Sequence, residues 1–337
     1  MILVTGGTGY IGSHTVVELL NNGHEVVVVD NFLNSNQSIL KRIQLINSKR
    51  FFFEEIDVTN EAALATIFKK YTISSVIHFA AFKSVGESVK DPLMYYRNNL
   101  GSLISILGCC KDFGVSNFIF SSSCTVYGDP VVSEISETNP LTTSAASPYG
   151  NTKKISEEII RDFAKVNDFK AVLLRYFNPV GSHDSGLLGD EPVGIPNNLI
   201  PYLTKVVDGE LPHLQVFGND YPTKDGTAVR DYIHVVELAQ AHVKSIKYTE
   251  QLDIGSVDAI NLGTGVGSSV LEVITAFEKA TGKKVKYEIA PRRAGDVASI
   301  YASPIKAKDK LGWEAKLNLE DMMRSAWNYQ VIIKKHK

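Results

Sequence analysis

The chain has little cysteine: Cys109, Cys110 and Cys124 are the only three in 337 residues. So few thiols fit a reducing compartment rather than a fold built on disulfides. Cys109 and Cys110 adjoin in an apolar, helix-like run, and no second pair completes a zinc set, so no metal is expected and the thiols read as buried and inert. Charge of one sign is also lacking. The net charge of −2 supplies no basic surplus for nucleic acid or an anionic membrane. No apolar run reaches membrane-spanning length. The opening MILVTGG is too short for a secretory signal and is broken by Gly6 and Gly7, so a cytoplasmic protein is expected. Repeats and low-complexity tracts are absent, and the basic ending IIKKHK reads as a solvated terminus. What remains is an ordinary globular composition, 44% hydrophobic and 21% charged. It suffices for one large domain or two unequal ones.

The first half alternates strand and helix signals. Short β-branched or apolar runs occur at 2–4, 26–29, 51–56, 76–79, 118–120 and 172–174, and helical patterns lie near 11–21, 38–47, 61–71, 91–113 and 148–166. Continuously apolar strands suit a sheet covered on both faces. The βαβα order predicts an α/β fold with a doubly wound parallel sheet. After about residue 178 the chain becomes rich in Gly, Pro, Asn and Asp, then returns to a strand-like AINLGTG at 259–265. The expected division is a Rossmann-type domain over 1–177, rejoined by a strand near 259–265, and a smaller mixed α/β domain over 178–337.

The stretch VTGGTGYIGSH reads as strand, glycine loop and helix, with Gly6, Gly9 and Gly12 three residues apart. Glycines at these places permit a tight turn, close approach of the backbone to a diphosphate, and close packing of helix on strand. The helix N-terminus offers free N–H groups and positive potential to that diphosphate. The second strand, EVVVVD, ends in Asp30. An acid there accepts hydrogen bonds from a ribose 2′-hydroxyl and repels a 2′-phosphate, which favours NAD over NADP. Asp57, after FFFEEI, can meet the adenine or sit in the N-cap region of the helix that follows. His78, inside VIHFAA, reads as a satisfied core histidine.

SPYGNTKK places Tyr149 four residues before Lys153 at the start of a helical pattern, so both share one face. Alone, the pair reads as an ordinary amphipathic contact. FIFSSSCTVYG, however, puts Ser121–Ser123 at the C-terminal end of a strand, the edge that faces the ligand crevice in an open parallel sheet. Glycine loop, edge serine and Tyr-x-x-x-Lys together point to a chemical centre.

With these features the chain resembles the UDP-glucose (UDP-galactose) 4-epimerase family of extended short-chain dehydrogenases/reductases. Matching stretches run nearly end to end, among them KSVGES, YYRNN, LLRYFNPVG, GIPNNLIPY, VFGNDYPTKDGT, VRDYIHV and APRRAGD. The resemblance implies tightly held NAD and inversion at C4 of a UDP-hexose through a 4-keto intermediate, with no net redox change. It implies Tyr149 as the base, Ser123 as its hydrogen-bonding partner at the reacting oxygen, and Lys153 as the group that holds the nicotinamide ribose and lowers the phenol pKa. On the cofactor side it adds Tyr10, Ile11, Asn31, Phe79, Lys83, Asn98 and Ser121 to Gly6, Gly9, Gly12, Asp30 and Asp57. On the substrate side it implies Asn178 near the diphosphate, Arg230 and Arg293 on the phosphates, and Asp296 on the uridine ribose. Asn198, Leu199 and Phe217 border the nucleotide, and Ile300, or Tyr301 one place on, borders the hexose. Cys124 stands where alanine is common in the family. A homodimer through the helices near 91–113 and 148–166 is likewise implied.

Three other readings stand beside this one. Isoleucine at 300 is intermediate in size between the residues that go with accepting and with excluding N-acetylated sugars, so UDP-N-acetylhexosamines are a possible further substrate class. A 4,6-dehydratase of the same superfamily carries an Asp-Glu pair after its active-site hydroxyl residue; Cys124 and Thr125 occupy those places here. A catalytically silent NAD-sensing module would predict erosion of Ser123, Tyr149 or Lys153, and all three are present.

Overall fold

The structure is a computed structural model and describes residues 1–293 and 295–335. The first part runs β1 Ile2–Thr5, α1 Tyr10–Asn21, β2 Val26–Asp30, α2 Ser38–Ile46, β3 Phe52–Glu55, α3 Glu61–Lys70, β4 Ser75–His78, α4 Val85–Lys90, α5 Pro92–Asp112, β5 Asn117–Ser123, β6 Glu134–Ile135, α6 Pro148–Val166 and β7 Lys170–Tyr176. It continues with β8 Asn178–Val180, α7 Leu199–Val207, β9 Leu214–Phe217, β10 Val229–His234, α8 Val235–Gln251, β11 Val257–Leu262 and β12 Gly267–Ser269. The last elements are α9 Val270–Thr281, β13 Tyr287–Ala290, β14 Ser299–Ala302, α10 Ile305–Leu311 and α11 Leu319–Lys334.

Seven parallel strands form the main sheet in the order β3-β2-β1-β4-β5-β7-β11. Side chains alternate across a strand, and here both faces are apolar. Ile2, Val4, Val26, Val28 and Ile77 point into one core, which α1, α2, α8 and α10 cover. Leu3, Val27, Val29, Val76, Phe118 and Phe120 point into the other, with α3, α5 and α6 over it. The doubly wound α/β architecture is therefore the one observed. Strand order reverses between β1 and β4, and a crevice beyond the strand C-termini opens at such a switch point.

The smaller part centres on β10, flanked by β12, β14 and β8, with β9 and β13 paired apart and α7, α9 and α11 packed around Phe277, Met322 and Met323. Three exchanges tie the two parts together. α8 lies in the core beside α1, β11 pairs with β7, and β6, from before residue 178, pairs with β14 in the small sheet. The sequence reading did not anticipate β6 or the six-residue α4, and it placed no helix after 148–166, although α8 and α11 run 17 and 16 residues. Two residues carry no alternation, and α4 is marked mainly by its Ser84 cap, whose side chain accepts from the Glu87 N–H.

Candidate active site

The turn after β1 is built for close approach. Gly6 has φ +68°, and a Cβ there would lie 2.8 Å from the backbone nitrogen of Ala80, just past β4. A Cβ on Gly12 would sit 2.2 Å from the Gly6 carbonyl oxygen, so only glycine lets α1 rest on the turn. Gly9 is the N-cap of α1 and supplies no side-chain cap, which leaves the first-turn N–H groups facing the turn. Ile11 packs from this first turn onto the core. Asp30 ends β2 and bridges back to the same turn, accepting from Thr8 N–H at 3.1 Å, while its other oxygen accepts from Phe32 N–H at 3.0 Å. A carboxylate has about four acceptor positions, so capacity remains for a ribose hydroxyl. Turn, helix end and Asp30 thus form a cradle that fits an adenine dinucleotide.

The neighbouring positions are shaped as follows. Asn31 accepts from Leu33 N–H at 3.1 Å. Asp57 accepts from Thr59 N–H and hydroxyl at 2.8 and 2.7 Å, and Asn60 rather than Asp57 caps α3. Asn98 on α5 donates to Asn99 at 3.0 Å. Phe79, just past β4, stacks at a tilt 4.8 Å from the His242 ring. Lys83 lies over the Tyr10 ring at 5.7 Å and reaches Asp190 at 3.5 Å, and the Tyr10 hydroxyl donates to the Gly181 carbonyl at 2.7 Å. His78 is a core histidine: it is buried, sits 2.7 Å from the Thr5 hydroxyl, and is pushed down to about 3 by burial and then by Lys153.

The serines and Tyr-x-x-x-Lys meet where β5 ends beneath α6. Ser147 caps α6 by accepting from Gly150 N–H at 3.1 Å, with Pro148 at the first helical position. That start fixes Tyr149 in the first turn, half-buried at the crevice, and Lys153 one turn deeper. The Lys153 ammonium is buried. It donates to the Ser121 carbonyl at 2.6 Å and lies 4.8 Å from the Phe120 ring centre. Burial lowers its pKa to about 7. Burial also pushes the Tyr149 phenol up to about 12, against a hydrogen bond from Ser123 that pulls it down. This differs from the expectation that Lys153 directly acidifies the phenol. In the protein by itself desolvation dominates both groups, because each charged form loses water that one neighbour does not replace.

The positions that the resemblance assigns to substrate are spread over the smaller part, on β8, β9, β10, β14, the start of α7 and the link between β13 and β14. Asn178 opens β8. Arg230 on β10 donates to the Val229 carbonyl at 2.8 Å and approaches Asp296 at 3.6 Å. Arg293 lies over the Phe217 ring at 3.9 Å. Asn198 is exposed and stands at the N-cap of α7 with no side-chain bond to its helix, so its amide is left for another partner, with Leu199 beside it. Ile300 is buried in a small apolar cluster with Val126, Tyr127 and Phe177, against which Cys124 packs. Tyr301 instead packs beside Gly267, whose Cβ would lie 3.1 Å from its ring. Burial raises Cys124 to about 11, which leaves it a thiol. Among the described residues no group of three His, Cys, Asp or Glu could hold a metal ion, and no helix is long and apolar enough to cross a membrane.

Sequence reading did not single out Asp190, Ser122, Glu157 or Arg175. Asp190 meets Lys83 only through tertiary folding. Glu157 falls inside the expected helix 148–166 and Arg175 just past the expected strand 172–174, and the two are buried and paired at 2.6 Å. The signal available was position: Glu157 continues the Tyr149–Lys153 spacing by one more turn.

A family model described as GDP-mannose 4,6 dehydratase matches residues 3–326. A UDP-glucose 4-epimerase of Bacillus subtilis is 53% identical over 330 residues, covering 98% of this chain and 96% of its own. The human UDP-glucose 4-epimerase is 50% identical over 337 residues, with 98% and 96% covered. Among solved structures, the UDP-glucose 4-epimerase of Stenotrophomonas maltophila with bound NAD and formylated UDP-arabinopyranose has a TM-score of 0.96 at 45% identity, covering 100% of this chain and 99% of that one. The Bifidobacterium longum UDP-glucose 4-epimerase in complex with NAD+ and UDP has a TM-score of 0.95 at 49% identity, with the same coverage. A doubly wound sheet with a glycine cradle, an edge serine and a Tyr-x-x-x-Lys whose lysine is buried therefore comes with near full-length likeness to one set of enzymes: the chain belongs to the UDP-glucose 4-epimerase family, within the wider sugar-nucleotide family that the dehydratase model describes.

Proposed function

We propose that the protein interconverts UDP-galactose and UDP-glucose by inversion at C4 of the hexose, with NAD held in the glycine cradle. The observation that carries this reading is Lys153, one turn below Tyr149 on α6, bonded at 2.6 Å to the Ser121 carbonyl near the end of β5, the strand that ends in Ser123. When bound, NAD supplies a reversible hydride acceptor, so the sugar can be oxidised and reduced with no net redox change. Gly6, Gly9 and Gly12 admit its diphosphate to the α1 N-terminus, and Asp30 takes the adenosine ribose. Asp57 and Asn31 flank the adenine end, and Ser121, Phe79, Lys83 and Asn98 line the approach. Retention through the catalytic cycle follows from the redox neutrality of the reaction.

Tyr149 accepts the proton of the 4-hydroxyl as C4 is oxidised, and Ser123 hydrogen-bonds the same oxygen. Bringing this phenol from about 12 to about 7 asks for roughly 7 kcal/mol of preferential phenolate stabilisation. A single exposed ion pair supplies a fraction of that. Two positive charges in a sheltered site, Lys153 and the oxidised cofactor ring, are of the right size. Lys153 is kept near the task by the Ser121 carbonyl. Arg230 and Arg293 hold the phosphates and Asp296 the uridine ribose. The nucleotide stays fixed while the 4-keto sugar turns to present its other face, past an apolar wall that includes Ile300. Tyr149 then returns the proton to the product alkoxide.

The test is incubation of the protein with UDP-galactose, followed by NMR. UDP-glucose should accumulate to an equilibrium mixture. Formation of a 4-keto-6-deoxy sugar would show a dehydratase instead, and absence of any turnover would leave a binding module. UDP-N-acetylgalactosamine run alongside tests the width of the Ile300 side.

The assembly reading is a cytoplasmic homodimer through α5 and α6. Three unpaired cysteines suit a reducing compartment. α5 leaves Leu93 and Ile104 more than half exposed, at 61% and 57%, on an otherwise well-covered helix, and such side chains are what an isologous contact buries. Light scattering should give twice the 37.0 kDa chain mass, and Ile104→Glu should halve it; a wild-type monomer would refute the dimer.

A further inference from the structure

Three consecutive serines end β5, and each is tied to α6 differently. The Ser121 carbonyl accepts from Lys153 at 2.6 Å. The Ser123 side chain, whose hydroxyl accepts from Thr125 N–H at 3.3 Å, pulls down the pKa of the Tyr149 phenol on α6. Between them the Ser122 hydroxyl donates to Glu157 Oε1 at 2.6 Å. Tyr149, Lys153 and Glu157 follow one another at intervals of four, so they occupy one face of the helix over about two turns. Ser122 stands opposite Arg175 in the β5–β7 register, and both side chains meet the same carboxylate. Arg175 Nε donates to Glu157 Oε1 at 2.9 Å and Nη2 to Oε2 at 2.6 Å, while Arg161 Nη2 approaches Oε2 at 3.6 Å. Arg175 Nη1 then donates to the Tyr127 hydroxyl at 2.8 Å, which donates to Asn261 on β11 at 2.7 Å. Glu157 is wholly buried.

The geometry points to Glu157, held by Ser122 and Arg175, as a positioning residue for the epimerase reaction proposed above, on which this inference rests. Two rungs join α6 to β5. Lys153 binds one strand residue, and Glu157, one helical turn away, binds the next. Together they fix both the height and the rotation of α6 above the strand end. Tyr149 extends from that same face at the open end and meets Ser123. A buried, fully bonded ion pair is not the cheapest way to fill such a space; apolar side chains of similar volume often stabilise a core as well or better. What the pair adds is a directional anchor between helix and strand, and it sits directly behind the reacting groups. Positioning of this kind is worth much to a reaction, since a displacement of about 1 Å can cost about a hundredfold in rate.

The test uses NAD-loaded, full-length protein. Ser122→Ala removes the rung without changing charge or the Arg175–Glu157 pair, Glu157→Gln weakens both, and Ser122→Thr keeps the hydroxyl. Turnover per NAD-loaded site should fall about tenfold or more in Ser122→Ala, with KM for UDP-galactose within about twofold of the parent. It should fall further in Glu157→Gln and recover in Ser122→Thr. A role confined to stability would lower the thermal midpoint or the loaded fraction and leave turnover per loaded site unchanged. A second readout needs no turnover: ultraviolet titration of the Tyr149 phenol, taken as the difference from Tyr149→Phe. Its midpoint should rise in Ser122→Ala by about half a pH unit or more, as Ser123 and Lys153 lose register with it. Parent-like turnover per loaded site together with an unmoved phenol in Ser122→Ala would overturn the proposal. If the parent protein itself turns nothing over, the epimerase reading falls and the phenol titration alone decides the positioning role.

Discussion

Replacing the Tyr149 hydroxyl by hydrogen takes away one proton acceptor and little packing, because the ring remains at the start of α6. Tyr149→Phe should therefore lower kcat by about a thousandfold, the span ascribed to a positioned acid or base. UDP affinity by calorimetry should stay within about threefold, since Arg230 lies on β10 and Arg293 and Asp296 in the link between β13 and β14, away from α6. Retained turnover in this variant would move the base elsewhere. Arg293 stands over Phe217 at 3.9 Å with its guanidinium edge free to turn toward a phosphate. Arg293→Ala should raise KM for UDP-galactose about tenfold or more and change kcat far less. A fall in kcat at unchanged KM would instead assign it to the chemical step. Tyr149, Lys153 and Ser121–Ser123 were legible as a set because their pattern is local, a tyrosine and lysine one helical turn apart and serines at a strand end, whereas Arg230, Arg293 and Asp296 entered only through the family resemblance. The Glu157–Arg175 pair was not legible, because its members lie 18 residues apart on different elements, and only the packing of α6 against the sheet brings the helix carboxylate to the strand guanidinium.

At the level of elements, the turn between β1 and α1 carries the firmest constraint. The Gly12 Cβ position is 2.2 Å from a backbone oxygen of the same turn, so no side-chain rotation relieves the clash. Gly12→Ala must push α1 away from the turn and pull its N-terminal N–H groups off the diphosphate position. The purified variant should carry under about a tenth of the parent's NAD under the same preparation, a loss of more than about 1.4 kcal/mol of cofactor affinity. Full NAD occupancy in the variant would show that the turn yields. The longer elements of the first half were legible because apolar residues repeat over several turns or fill a whole strand; α8, which packs beside α1, was not read from the sequence. β6, β8 and α4, at two, three and six residues, are shorter than the periods that would reveal them. Their places are set by pairing partners that arrive later in the chain.

Across the whole molecule, burial fixes protonation in a way that makes stability depend on pH. His14, His78, His234 and His242 are all buried, and desolvation lowers their pKa values to about 3, 3, 4 and 4. Each folded value lies below the unfolded value of about 6.5. Their neutral forms therefore contribute stability that is fully present above pH 6.5 and is lost as pH falls toward 4, where the unfolded chain binds protons that the native one refuses. Glu18, Asp231 and Glu237 are raised by burial and push the other way at the acid end, so the net slope understates the histidine part. A single substitution isolates it. His78 lies at the end of β4, where its ring nitrogen meets the Thr5 hydroxyl, and His78→Asn keeps a polar group there without a proton to titrate. Urea unfolding of both proteins should show the parent losing about 1 kcal/mol more than the variant between pH 6 and pH 5. Equal losses would mean that His78 takes up its proton in the folded protein, and that water or a rearranged partner reaches it inside the sheet.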